Sequence, residues 1–162
     1  MNKGFVMNKD ILPELNKKAY IEELHEKYEI RFAEITEKKE IQLFLKKNWR
    51  SDHIFVYCDK LLDWQHLDKK NNRYNFVIAK EKKTNEIHSL LGFIPSKQYD
   101  CEIEPLEVWP CIWKSREDVQ VKGLGVSLYH YMKEQLPIET ISILGISEVA
   151  LSIYKHWNFS TG

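Results

Sequence analysis

Hydrophobic positions change period several times along the chain, and each change predicts an element. After Tyr28 the residues alternate as Glu29-Ile30-Arg31-Phe32-Ala33-Glu34-Ile35, the two-residue period of a half-exposed strand. Thr36 then stands where it can cap a helix that begins TEKKE. Ile41, Phe44 and Leu45 share the inner face of that helix, and Glu37 and Glu40 lie near its positive end. Upstream, residues 9–27 are highly charged but carry Ile11, Leu12, Leu15, Ala19 and Leu24 at near-helical spacing. They predict an amphipathic arm, residues 1–27, laid on a domain that spans 28–162.

Residues 52–68, DHIFVYCDKLLDWQHLD, are too apolar for a loop and read as mainly helix. Two strands follow, 75–80 and 86–94, with Lys82-Lys83-Thr84-Asn85 suited to a hairpin connection and Pro95 as a stop. Residues 101–114 demand burial at Ile103, Leu106, Val108, Ile112 and Trp113, yet Pro105 and Pro110 cannot donate to a ladder, so an interrupted or splayed strand is expected. Leu124, Leu128, Met132 and Leu136 then form one side of a helix ended by Pro137. Residues 140–146 read as a central strand by their β-branched content, and 148–157 as a short final helix. Alternation of strands and helices in the second half predicts an α/β fold with a mixed sheet in one domain.

Composition narrows the function classes. The 162 residues hold 43% hydrophobic and 30% charged side chains, an ordered composition, with 24 basic and 24 acidic residues. That balance carries no nucleic-acid signal. No window is apolar enough to span a bilayer and the start lacks a secretory core, so a cytoplasmic protein without membrane insertion is expected. Cys58, Cys101 and Cys111 form no CxxC pair, and His25, His53, His130 and His156 are scattered without HExxH, so neither a disulfide framework nor a metal site is indicated. The lysine pairs at 38–39, 46–47, 69–70 and 82–83 read as solvated faces.

Gln120-Val121-Lys122-Gly123-Leu124-Gly125 lies after a strand and opens a helix. Two glycines allow a tight turn and close approach to a ligand, and the free N–H groups of the helix start form an anion cradle. The hexamer is neither the dinucleotide fingerprint nor a P-loop. It resembles the Q/R-x-x-G-x-G/A signature of the GNAT family of N-acetyltransferases through Gln120, Gly123 and Gly125. Residues 150–159, ALSIYKHWNF, resemble the family's A-x-x-L/I-Y-x-x-x-G-F segment, with Ser147 in place of its usual Asn and Asn158 in place of its Gly. The resemblance covers roughly 28–162. The wording of the segments around WQHLD and ETISILGISEVALSIYKHWNF also looks like bacterial members found beside cell-surface polysaccharide genes.

The resemblance implies a GNAT-like, mostly antiparallel sheet flanked by helices and splayed between two central strands, with acetyl-CoA, or another acyl-CoA, as co-substrate and no metal. The loop and first helical turn, Gln120, Val121, Lys122, Gly123, Leu124, Gly125 and Val126, would hold the pyrophosphate, with Ser147, Ala150 and Tyr154 from the second segment. Ile112, Trp113 and Lys114 would pair with pantetheine in the manner of an added strand. Tyr154 would donate to the leaving thiolate. For the base that takes the ammonium proton the candidates are Glu107, Glu104, Glu102, Asp100, His66 and His88; Glu107, after the Pro105 break, is preferred. Trp64 and His66 could line an acceptor pocket, although a helix packed on the sheet is the preferred reading of that segment.

The expected activity is transfer of an acetyl group to a primary amine of a small molecule, an amino sugar among the candidates, by direct attack in a ternary complex. The alternative is a non-catalytic acyl-CoA-binding or assembly module, or an inactive fragment of a longer acetyltransferase. The family fold continues with further strands beyond the point reached at Gly162, so the C-terminal strands are expected to be missing. A fragment is the preferred account; a compact variant, or a homodimer covering the edge strand, also remains open.

Overall fold

The structure, a computed structural model, describes residues 14–160. The part of the expected arm at 1–13, with Ile11 and Leu12, lies outside the described residues. Helix α1 (Glu14–Lys27) runs straight into strand β1 (Tyr28–Glu34), and Leu24 is buried in the core beside Tyr28. A 3-10 turn (Ile35–Glu37) leads to α2 (Lys38–Asn48), then α3 (Ile54–Tyr57), α4 (Asp59–His66) and a two-residue strand β2 (Leu67–Asp68). The hairpin β3 (Arg73–Glu81) and β4 (Ile87–Pro95) precedes β5 (Glu107–Ser115), α5 (Leu124–Gln135), β6 (Thr140–Ile141) and α6 (Glu148–His156).

The sheet runs β1-β3-β4-β5-β6, with β2 also on β3, and every pairing is antiparallel except β5 with β6. This is the mixed, mostly antiparallel α/β architecture expected. Strand β3 shows why its sequence reads as a continuous apolar run: Val77 and Ala79 enter the core beneath α1 and α5, while Phe76 and Ile78 enter the one beneath α2, α3 and α4. A strand covered on both faces has no polar side. Ile41, Phe44 and Leu45 of α2 fill the second core, as their spacing predicts.

Four local expectations change. Thr36 does not cap α2. Glu37 takes that turn instead, buried to 5% exposure, its carboxylate accepting from Arg31 Nη1 (2.7 Å) and Nη2 (2.9 Å), Lys80 Nζ (2.8 Å) and the Glu34 N–H (2.8 Å). Burial alone would raise the Glu37 carboxyl, but these donors hold it at about 2. The 52–68 segment is broken at Cys58 into two helices. The strand expected at 101–114 starts only at Glu107, since residues 99–106 form turns. Residues 140–146 are not a central strand: only Thr140 and Ile141 pair, at the edge of the sheet among the described residues.

Candidate active-site cleft

The cleft originates in β5. Gly92 of β4 pairs with Ile112, but Phe93 pairs with Pro110, so Cys111 is an extra residue bulged out of the ladder. Gly92 is compressed there, because a Cβ would lie 2.6 Å from Phe76 Cε1. On its outer edge β5 is paired, among the described residues, only at Glu107 with Thr140 and Val108 with Ile141, and the Ser142 N–H donates to Val108 O at 3.1 Å. Beyond that point residues 143–147 leave the sheet, and a wedge opens between them and the rest of β5.

Two helices point their N-termini into this wedge. Gly123 is the N-cap of α5 with φ +72°, a conformation that costs an L side chain roughly 1–2 kcal/mol. Gly125 lies against Trp113: a Cβ would be 3.0 Å from Trp113 Nε1, which donates to Gly125 O at 3.0 Å. The N–H groups of Gly125 and Val126 have no partner among the described residues. Ser147 caps α6, its hydroxyl accepting from the Ala150 N–H at 3.3 Å. Trp113, Val121, Gly123, Leu124, Gly125, Val126, Ser147 and Ala150 line one cavity of about 280 Å3, joined by Ser115 and Ile153. Two convergent helix starts with free donors favour an anion.

An adjoining cavity of about 110 Å3 shares Trp113, Ser147 and Ala150 and adds Tyr154, Pro110, Cys111, Trp49 and residues 143–146. Tyr154 packs in a ring cluster with Trp113, Tyr129, Trp157 and Phe159. Its burial, and to a lesser extent Tyr129, raises its pKa well above the ordinary phenol range, so it keeps its proton. The phenol can therefore donate to a developing anion in this cavity.

Other sequence candidates fall elsewhere. The Ile112 side chain is buried against the α2–α4 core, leaving its backbone at the wedge. Lys114 pairs with Glu117 at 2.8 Å, and Gln120 and Lys122 are exposed; none of the three lines either cavity. Glu107 sits at the closed end of the wedge, where Ser142 Oγ donates to its carboxylate, and is not in the cavity that holds Tyr154. Trp64 is 61% exposed and lies against Tyr99 on the outside of α4. His66 is fully buried, its Nδ1 3.2 Å from Phe93 O and its ring against Phe55 and Phe76. The pair does not form one pocket, because a separation of two residues turns them about 200° apart around α4 and so to opposite sides.

Trp49 is a wall residue that sequence patterns did not single out, and Cys111, read there only as an ordinary thiol, is a second. Trp49 follows the last turn of α2, a bulky apolar residue outside any motif. Cys111 is open to the surface at the bulge, but its sulfur turns inward, 3.9 Å from His66 Nε2. Burial pushes the thiol up to about 12 and the imidazole down to about 4, which makes this a neutral pair. Among the described residues no group of three His, Cys, Asp or Glu could hold a metal, and no helix is long and apolar enough to cross a membrane.

No protein-family model and no curated protein sequence matches the chain. Solved structures do. An acetyltransferase from Trypanosoma brucei superposes with a TM-score of 0.56 at 14% identity, covering 83% of this chain and 94% of that one. The ribosomal-protein-alanine N-acetyltransferase of Brucella melitensis biovar Abortus 2308 gives 0.56 at 10%, covering 83% and 96%. An aminoglycoside acetyltransferase from an uncultured soil metagenomic sample, solved with sisomicin, gives 0.57 at 14%, covering 82% and 88%. At such identities the likeness is one of architecture, and the chain has the fold of the GNAT acetyltransferases.

Proposed function

We propose that the protein transfers an acetyl group from acetyl-CoA to the primary amine of a small molecule, with amino sugars the first acceptors to test. The observation that carries this reading is the wedge itself: two helix N-termini converge on one cavity, and a protonated, buried Tyr154 lines the next. The diphosphate would lie on the N–H groups of Gly125 and Val126, and pantetheine along the outer edge of β5, where backbone groups beyond Val108 have no strand partner among the described residues.

In the proposed step the amine lone pair attacks the thioester carbonyl, a C–N bond forms, the C–S bond breaks, and Tyr154 donates to the departing sulfur. The proton lost by the ammonium passes through water to Glu107, the carboxylate carried by β5. Glu107 is held by Ser142 rather than aimed into the cavity, so a relay rather than direct contact is proposed.

Calorimetric titration of acetyl-CoA, followed by thiol-release assays over an amine panel, tests the reading. Tyr154→Phe should lower turnover roughly tenfold or more while CoA affinity stays within about twofold. Saturable CoA binding with no turnover on any amine would favour a binding module instead; absence of CoA binding by a folded sample would remove the reading altogether.

A further inference from the structure

A separate cavity of about 580 Å3 opens where β2, the start of β3, the end of β4 and the C-terminal end of α5 meet. It shares no lining residue with the wedge cavities. Leu106 and Pro95 put it at the Glu107 end of β5, whereas the glycine loop follows the Ser115 end; the strand between them is roughly 26 Å long.

Its wall is cationic although the whole chain is electrically balanced. Lys69, Lys70, Arg73 and Lys97 face one carboxylate, Asp68. Lys97 pairs with Glu104, and Asp68 lies 3.4 Å from Arg73 Nε while accepting from Asn71 N and Nδ2. Lys69 and Lys70 make no ion pair among the described residues. The cavity is left with about two uncompensated positive charges.

Arg73 gives the site a fixed element. Its guanidinium carbon sits 3.8 Å over the Phe32 ring, and the side chain is only 18% exposed. Its Nε is buried without a hydrogen bond, because the Asp68 contact is close but not aligned. Its terminal nitrogens form no hydrogen bond among the described residues, which leaves a planar donor fork that matches an oxyanion. Gln98 braces the same wall, donating to Leu67 O at 3.1 Å and accepting from Asn75 Nδ2 at 3.2 Å. Leu106 and Leu136, half-buried, line the cavity with apolar surface, and Phe93 lies buried behind it.

We propose that this cavity binds a phosphate monoester with an apolar body: the dianion against Arg73, Lys69 and Lys70, the body against Leu106 and Leu136. Two uncompensated cations match a phosphate dianion better than a monoanion, and the volume is that of a small-ligand site. Lys69-Lys70, read from sequence as a solvated pair, becomes the rim of this site.

Phenyl phosphate titrated calorimetrically into the full chain is the test, with benzoate and inorganic phosphate as further arms. Saturable one-to-one binding is expected, roughly tenfold weaker for benzoate and for the Lys69→Gln/Lys70→Gln variant, and weakened by salt. Inorganic phosphate should bind more weakly than phenyl phosphate because it leaves the apolar surface unused. Arg73→Gln should abolish binding; if that variant does not fold, the lysine variant, whose side chains are exposed, decides. Desulfo-CoA affinity should be the same in every folded variant. No saturation at millimolar phenyl phosphate, equal affinity in the lysine variant, or competition by desulfo-CoA would each overturn the proposal.

Discussion

His66 offers a quantitative test of how the α4 face is built. Its ring is enclosed by Phe55, Phe76 and Phe93 O, and burial lowers its pKa from 6.5 to about 4. In the unfolded chain the imidazole binds a proton as pH falls through 6.5, while in the folded protein it stays neutral until about 4. Unfolding therefore takes up a proton in that window, and stability falls with pH. At 1.36 kcal/mol per unit, the loss attributable to His66 between pH 7 and pH 5 is about 2 kcal/mol, rising to about 3 kcal/mol below pH 4. Urea unfolding at pH 7, 6 and 5, compared with His66→Gln, isolates this term from the other histidines, and an NMR titration of the ring reads the pKa directly. Equal pH slopes in the two proteins, or a ring that titrates near 6, would refute the buried placement and return His66 to the candidates for an acceptor-side base.

Gly123→Ala should lower stability by about 1–2 kcal/mol through backbone strain, and by more through Tyr20 Oη, which would lie 3.3 Å from the new methyl. Gly145→Ala, at φ +66° with nothing within 4 Å, gives the strain alone, so thermal melts should rank Gly123→Ala as the more damaging. Cys111→Ala should retain turnover: burial raises the thiol and lowers the imidazole, and both shifts favour the neutral pair over the thiolate that an acyl-cysteine route needs. Loss of turnover with CoA affinity intact would contradict this. Glu37→Leu should destabilise by roughly 1.5–3 kcal/mol in denaturant unfolding, because Arg31 and Lys80 lose their buried carboxylate and keep only the more exposed Glu29 and Glu40; a change below 1 kcal/mol would show that water already solvates those cations.

Local sequence was enough wherever one residue's chemistry settled the backbone. Alternation at 29–34, the apolar stripe of α2, the β3–β4 hairpin and the glycine turn before α5 all follow from side-chain period or φ preference, and each is observed. Trp113, Gly123, Gly125, Ser147, Ala150 and Tyr154 line the two adjoining cavities; the expectation that they belong to one site came from the resemblance of two short segments to a known family, not from period or φ preference.

Other features depend on partners distant in the chain. Whether 140–146 pairs as a strand is decided by β5, whose bulge at Cys111 and diverging edge leave a ladder only for Thr140 and Ile141. The orientation of His66 and Trp64 depends on which side of α4 meets the sheet, and short amphipathic helices leave that ambiguous. The cap at Glu37 is set by Arg31 and by Lys80, 43 residues away. The basic cavity likewise joins Lys69 to Lys97 through the β3–β4 hairpin. Backbone preference and periodicity act over a few residues and are written in the chain; charge pairing, burial and cavity walls depend on which distant segments meet, and only the folded structure brings them together.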